Sequence, residues 1–124
     1  MIYGGEFSKG LREGEGTLIW EHGKKVYEGE FENDEIGGHG VMVSEEGDYY
    51  LGEWKEGKRE GKGVQLEKKA GLKYEGEFMR DLKSGKGREV GKDYTYTGYF
   101  SEGLFEGEGR MEYSDGSFYE GDFH

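Results

Sequence analysis

The segment from Tyr50 to Val64 reads YLGEWKEGKREGKGV, and its spacing of aromatic residues and glycines recurs along the whole chain. The openings YGGEF, YEGEF, YLGEW, YEGEF, YTGYF and YEGDF follow one another, with their tyrosines 22 to 24 residues apart. A G-x-G pair follows in every full copy. A fixed period of this kind is the sequence signature of a repeat protein. We therefore divide the chain into repeats 3–26, 27–49, 50–73, 74–95 and 96–118 and a partial copy, 119–124, and we count places within a repeat from its opening tyrosine.

The composition favours a fold whose core is made of aromatic side chains. The 124 residues include 10 Tyr, 7 Phe and 2 Trp but no Cys and no Pro, and the net charge is −11. Aromatic side chains bury large areas, so they can replace an aliphatic core. Without Cys there is no disulfide or thiolate metal site, and without Pro every backbone N–H can join a ladder. No apolar stretch is long enough to span a bilayer, so we expect a soluble, cytoplasmic protein.

The opening Y-x-G-x-[FW] predicts a β-strand with Tyr, Gly and the second aromatic residue on one face and acidic residues on the other. Gly or Asp at place eight tolerates the positive φ of a hairpin turn, and we expect the returning strand to begin at the G-x-G pair. Aromatic rings of the neighbouring strand should cover the strand glycines. Which face of the returning strand is buried stays open, because in repeats three and four Val64, Leu66 and Val90 lie opposite Gln65 and Glu89.

The pattern Y-x-G-x-[FW]-x-x-G-x-x-x-G-x-G resembles the MORN (membrane occupation and recognition nexus) repeat, and the match runs from Tyr3 to His124. Asp34 and Asp81 depart from it at the turn glycine, and Tyr99 replaces the usual acidic residue. The resemblance implies an all-β fold, an elongated single-layer twisted antiparallel sheet of tandem β-hairpins. It also implies partner binding, scaffolding in cytoskeletal or ciliary structures, lipid contact or a regulatory role beside an enzyme, with no catalysis by the repeat itself.

The aromatic residues at places one and five form the first candidate site. We expect them to follow one another as a ladder along one face, either as the core of the fold or as the floor of a trough about one helix wide that binds a partner. The candidate partner-binding residues are Tyr27, Phe31, Tyr50, Trp54, Tyr74, Phe78, Tyr96 and Phe100.

A cluster of basic residues in repeats three and four forms the second candidate site. Lysines and arginines recur there at equivalent places, whereas the rest of the chain is acidic, so they could form a ridge for anionic lipid or an acidic partner segment. The alternative is that they are solvated turn charges. The residues are Lys58, Arg59, Lys62, Lys83, Lys86 and Arg88.

The sequence contains no pattern that points to catalysis, a metal or a cofactor. The three histidines lie far apart, and the G-x-x-x-G stretch Gly57–Gly61 is one residue too short for a phosphate loop. We therefore predict a non-catalytic module for protein interaction and scaffolding, with nucleic-acid binding disfavoured by the negative charge. The alternatives are a peripheral membrane module and a regulatory region of a larger enzyme. The uncapped strands at both ends also favour a segment of a longer protein or self-association through edge strands.

Overall fold

The computed structural model describes residues 1–124 and contains eleven β-strands in one antiparallel sheet. Each strand pairs with the strand before it and the strand after it in the chain, so the sheet is a continuous meander. A single 3₁₀ turn, Glu21–Gly23, interrupts the alternation of strands and tight turns. The strands are β1 (Ile2–Ser8), β2 (Leu11–Ile19), β3 (Lys25–Glu32), β4 (Glu35–Ser44), β5 (Tyr49–Lys55), β6 (Lys58–Glu67), β7 (Leu72–Met79), β8 (Leu82–Val90), β9 (Tyr94–Ser101), β10 (Leu104–Tyr113) and β11 (Phe118–Phe123). This arrangement confirms the predicted sheet of tandem hairpins.

The turn inside each repeat has positive φ at both central residues. In repeat three these are Glu56, with φ of 50°, and Gly57, with φ of 77°. In repeat four Arg80 and Asp81 have φ of 47° and 71°, so aspartate adopts the same backbone conformation as the turn glycine that it replaces. Two consecutive positive φ values are typical of the type I′ hairpin turn, whose twist matches that of the flanking strands.

The returning strand begins directly after this turn, so the prediction that it begins at the G-x-G pair is wrong. In repeat three β6 begins at Lys58, and the pair lies in its middle. Trp54 pairs with Arg59 and Gly52 pairs with Gly63, so three residues of β6 lie opposite one residue of β5. The middle one, Gly61, has φ of 89°. The first glycine of the pair therefore marks a bulge, where a left-handed backbone conformation is required.

A glutamate at place four caps this bulge. The Oε2 atom of Glu53 accepts a hydrogen bond from the backbone N–H of Lys62, at 2.7 Å. Glu6, Glu30 and Glu77 make the equivalent bond in their own repeats, at 2.6–3.0 Å. The acidic residue that the strand pattern assigned to the solvated face therefore also satisfies an N–H that the ladder leaves without a partner.

The second glycine of each pair lies beneath a tyrosine ring. Tyr50 lies across Gly63, and its hydroxyl donates a hydrogen bond to the carbonyl of Glu53, at 3.0 Å. A Cβ atom on Gly52 would be 2.5 Å from the Cα atom of Gly63, because the two backbones pack directly against each other. The expectation that rings cover glycines is therefore confirmed for the second glycine of the pair, whereas the glycine at place three is required by the close approach of two strands.

Two arginine–aspartate contacts join neighbouring repeats. The guanidinium of Arg59 donates to Asp81 Oδ1 from Nε at 3.2 Å and to the Asp81 carbonyl oxygen at 2.6 Å, and the Arg59 backbone N–H donates to the same Oδ1 atom at 2.8 Å. Arg12 and Asp34 repeat this arrangement between repeats one and two. Hydrogen bonds from Arg12 hold the pKa of Asp34 below its ordinary value. The two aspartates that depart from the repeat pattern are thus the two that have an arginine partner.

We predict that Gly63→Ala destabilises the fold by about 1–3 kcal/mol, the range for overpacking a close-packed site. The added methyl group would occupy the space of the Tyr50 ring. Gly4→Ala is the matched control, because a Cβ atom there meets no atom within 4 Å. Urea unfolding followed by circular dichroism measures both variants, and equal midpoints for the two would contradict the packing explanation.

We predict that Asp81→Gly lowers the free energy of unfolding by about 1–2 kcal/mol, because it removes charge-assisted hydrogen bonds. Glycine accepts the positive φ of this turn, so the backbone is kept. A double-mutant cycle with Arg59→Ala isolates the contact. If Asp81→Gly has the same effect in the wild-type and Arg59→Ala backgrounds, the two side chains are not coupled.

Candidate functional site

The aromatic ladder is the core of the protein and not an accessible surface. Consecutive rings meet edge to face, with centroids 5.0–5.6 Å apart and interplanar angles of 84–88°. None of the eight predicted residues is more than 7% exposed. The trough that would expose them to a partner helix is therefore absent, and the expectation of a partner-binding aromatic face is corrected. These buried residues are Tyr27, Phe31, Tyr50, Trp54, Tyr74, Phe78, Tyr96 and Phe100.

Side chains of the returning strands cover the ladder from two sides. At place sixteen a row faces the tyrosines, and at place ten a second row lies opposite the aromatic residues of place five. The first row is Leu18, Met42, Gln65, Glu89 and Met111, and the second is Arg12, Ile36, Arg59, Lys83 and Phe105. The sequence did not decide which face of the returning strand is buried. In the structure the buried face is the one that carries Gln65 and Glu89. Cationic side chains also cover the ladder, since the Arg59 guanidinium lies 5.1 Å from the centroid of the Phe78 ring.

Glu89 is a carboxylate in a place where repeats one, two and five have Leu or Met and repeat three has Gln65. It is only 5% exposed, and Lys83 Nζ forms an ion pair with its Oε1 atom. The hydroxyl of Tyr94 donates to its Oε2 atom at 2.6 Å. Burial, followed by the contact with Glu89, raises the pKa of Tyr94. Both carboxylate oxygens are satisfied, so this cluster supports the core of repeat four and leaves no group open for chemistry.

The six basic residues of repeats three and four do not form one ridge. Arg59 and Lys83 lie on the aromatic face, where Asp81 and Glu89 pair with them. Lys58 is the first residue of β6 and lies directly after the turn residue Gly57, at the edge of the sheet that the hairpin turns form. The opposite face of the sheet carries the remaining three, Lys62, Lys86 and Arg88. The sequence expectation of a single continuous basic surface is therefore corrected, because neighbouring residues of a strand point to opposite faces.

The face opposite the core carries a continuous apolar surface across the first six strands, which we name the outer stripe. Six of its residues are consecutive cross-strand partners, so they form an unbroken line, and three more form a second line beside them. Val43 and Leu51 are 39% and 49% exposed, and no element of the structure packs on them. The outer stripe consists of Ile2, Ile19, Val26, Val43, Tyr49 and Leu66 in the first line and Val41, Leu51 and Val64 in the second.

Acidic residues border the outer stripe, and beyond its end one basic and one acidic residue, Lys73 and Glu75, lie next to Leu66 and Val64. Glu15 and Glu30 are direct cross-strand partners, and Glu28 pairs with both Thr17 and Val41. In the line of six, Leu66 is followed by Lys73 on β7. In the sequence, this surface is visible only as apolar residues on both faces of the returning strands. The sequence pattern by itself did not show which of the two faces is buried.

The described residues hold no group of three or more His, Asp or Glu side chains that could bind a metal ion. None of the described elements is a helix of the length and apolar character that a membrane span requires.

The comparisons with known proteins identify the repeat. The sequence model of the MORN repeat matches residues 3–24, 27–49, 50–66, 74–95 and 96–118, which is most of the chain. The comparison with curated proteins found no match. The five matches begin at five of the tyrosines that anchor the ladder, Tyr3, Tyr27, Tyr50, Tyr74 and Tyr96.

We predict that the sheet unfolds in alkali as its buried tyrosines ionise. Burial raises the pKa of Tyr50 to about 12, whereas an unfolded tyrosine titrates near 10. The folded state therefore holds more protons between these values, so stability falls as pH rises through this range. The tyrosinate absorbance of the buried ladder tyrosines should appear together with the change in circular dichroism, apart from that of the exposed Tyr99, Tyr113 and Tyr119. Ionisation of the ladder tyrosines near pH ~10 with an intact sheet would contradict their burial.

Proposed function

This chain belongs to the MORN repeat family, and we propose that it is a non-catalytic module that binds a partner protein through the outer stripe. MORN repeats are generally modules for interaction with proteins or membranes. The proposal includes a scaffolding role in cytoskeletal or ciliary structures of the cytoplasm, or a regulatory role as part of a larger enzyme. The family resemblance supports both roles. The outer stripe is the observation that carries the proposal.

The outer stripe has the properties of an interaction surface. It is contiguous, it lies on a regular sheet whose backbone is already ordered, and its most exposed residues include Val43 and Leu51. Contiguous apolar surfaces on soluble proteins mark places where another molecule binds. Full burial of an aliphatic side chain is worth about 1.5–3 kcal/mol, so a partner that covers several of these residues gains enough to bind.

A membrane role has less support than a protein partner. Of the six basic residues proposed for lipid contact, Arg59 and Lys83 are engaged with Asp81 and Glu89. Acidic residues border the apolar surface, and the net charge of −11 opposes approach to an anionic membrane. We therefore favour the protein partner.

We predict that the double variant Val43→Thr/Leu51→Thr loses its binding partners while the sheet is kept, because threonine retains β-propensity but removes apolar surface. The control is Leu82→Thr/Leu104→Thr, at exposed positions directly after the hairpin turns of repeats four and five. Affinity capture followed by quantitative mass spectrometry compares the two variants with the wild type. Partners retained by the Val43/Leu51 variant, or lost equally by both, would contradict binding through the outer stripe.

A further inference from the structure

We propose that the partner segment of the outer stripe is amphipathic and basic, with apolar side chains against the stripe and lysines or arginines beside it. This inference rests on the proposed function and adds the chemistry of the partner. It follows from the length of the stripe and from the charges along its border.

The first line of the stripe fits a short amphipathic segment. Its six residues lie on six consecutive strands, so the line spans five strand-to-strand steps, or roughly 24 Å at ~4.8 Å per step. A helix of about 16 residues has the same length. The second line, Val41, Leu51 and Val64, widens the apolar surface in its middle, where the apolar side of a helix would contact it.

The border beside the second line is acidic over repeats one and two. Glu15 and Glu30 lie opposite each other, although like charges at such positions destabilise a sheet. Glu28 lies directly beyond the second line, because it is the cross-strand partner of Val41 on one side and of Thr17 on the other. Neither Glu15 nor Glu28 has a cation within ion-pair distance. A basic segment on the stripe would neutralise these carboxylates, whereas an acidic segment would add to their repulsion.

The charge on this face becomes mixed where the stripe ends. Lys73 follows Leu66 in the first line and Glu75 follows Val64 in the second, and Lys62, Lys86 and Arg88 share this face with Glu75 and Glu77. A basic segment is attracted to the unbalanced carboxylates of repeats one and two, and repeat four offers no such excess of negative charge. A second copy of the chain carries the same net charge of −11, so self-association on this surface is disfavoured.

The test uses the full chain and two synthetic amphipathic helical peptides of about 18 residues, with leucine on one side and either lysine or glutamate on the other. Fluorescence anisotropy measures their affinities. We expect the lysine peptide to bind at least about tenfold more tightly than the glutamate peptide, since several ion pairs of up to ~1 kcal/mol each are gained. Glu15→Gln/Glu28→Gln should weaken the lysine peptide, and Glu106→Gln/Glu108→Gln, in repeat five, should not.

The apolar contribution is tested with the same peptides. Val43→Thr/Leu51→Thr should weaken the lysine peptide, and Leu82→Thr/Leu104→Thr should leave it unchanged. If both peptides bind equally and depend on Leu51, the proposed function stands and the basic partner is refuted. If the lysine peptide binds regardless of Val43 and Leu51, both proposals fail. Flotation of the chain with phosphatidylserine vesicles that depends on Leu51 would assign this face to a membrane and overturn the inference.

Discussion

The contact between a tyrosine ring and a bare glycine backbone is the interaction on which this sheet depends. In each repeat the ring crosses to the neighbouring strand, covers the second glycine of the G-x-G pair, and hydrogen bonds through its hydroxyl to a carbonyl of its own strand, as Tyr50 does with Gly63 and Glu53. A side chain on that glycine would displace the ring, and the ring is the link between the aromatic residues of two repeats. Glycines that would weaken an ordinary strand are therefore required here.

This contact explains how a sheet of one layer can have a core. Two rows of side chains from the returning strands close over the rings, and some of these side chains are charged. Arg59 lies over aromatic rings while it holds Asp81 of the next repeat, so one residue covers the core and joins two repeats. Because the aromatic face is closed in this way, the face that stays accessible is the other one, where the outer stripe lies.

Sequence differences between repeats are explained by contacts between side chains of the same or neighbouring repeats. Aspartate replaces the turn glycine only where the preceding repeat supplies an arginine, as in Arg12–Asp34 and Arg59–Asp81. Glu89 replaces an apolar residue where Lys83 and Tyr94 satisfy it. These three departures from the pattern are thus each matched by a partner in the same or the adjacent repeat. In repeat arrays, where stability comes from contacts between neighbours, such pairs can fix the order in which repeats stack.

The sequence by itself determined the period, the hairpins, the antiparallel sheet and the aromatic ladder, because a repeated spacing of Tyr, Gly and Phe or Trp allows few other structures. It also located the positive-φ turn at place eight. Only the tertiary structure decided which face of the returning strand is buried. Val64 and Leu66 are more apolar than Gln65, yet Gln65 faces the core, because the bulge at Gly61 and the pairing of Tyr50 with Gln65 set the register. Once the register is set, strand alternation decides which face of the sheet carries each strand residue, including those of the outer stripe. A register that depends on contacts between strands cannot be derived from the sequence of one strand alone.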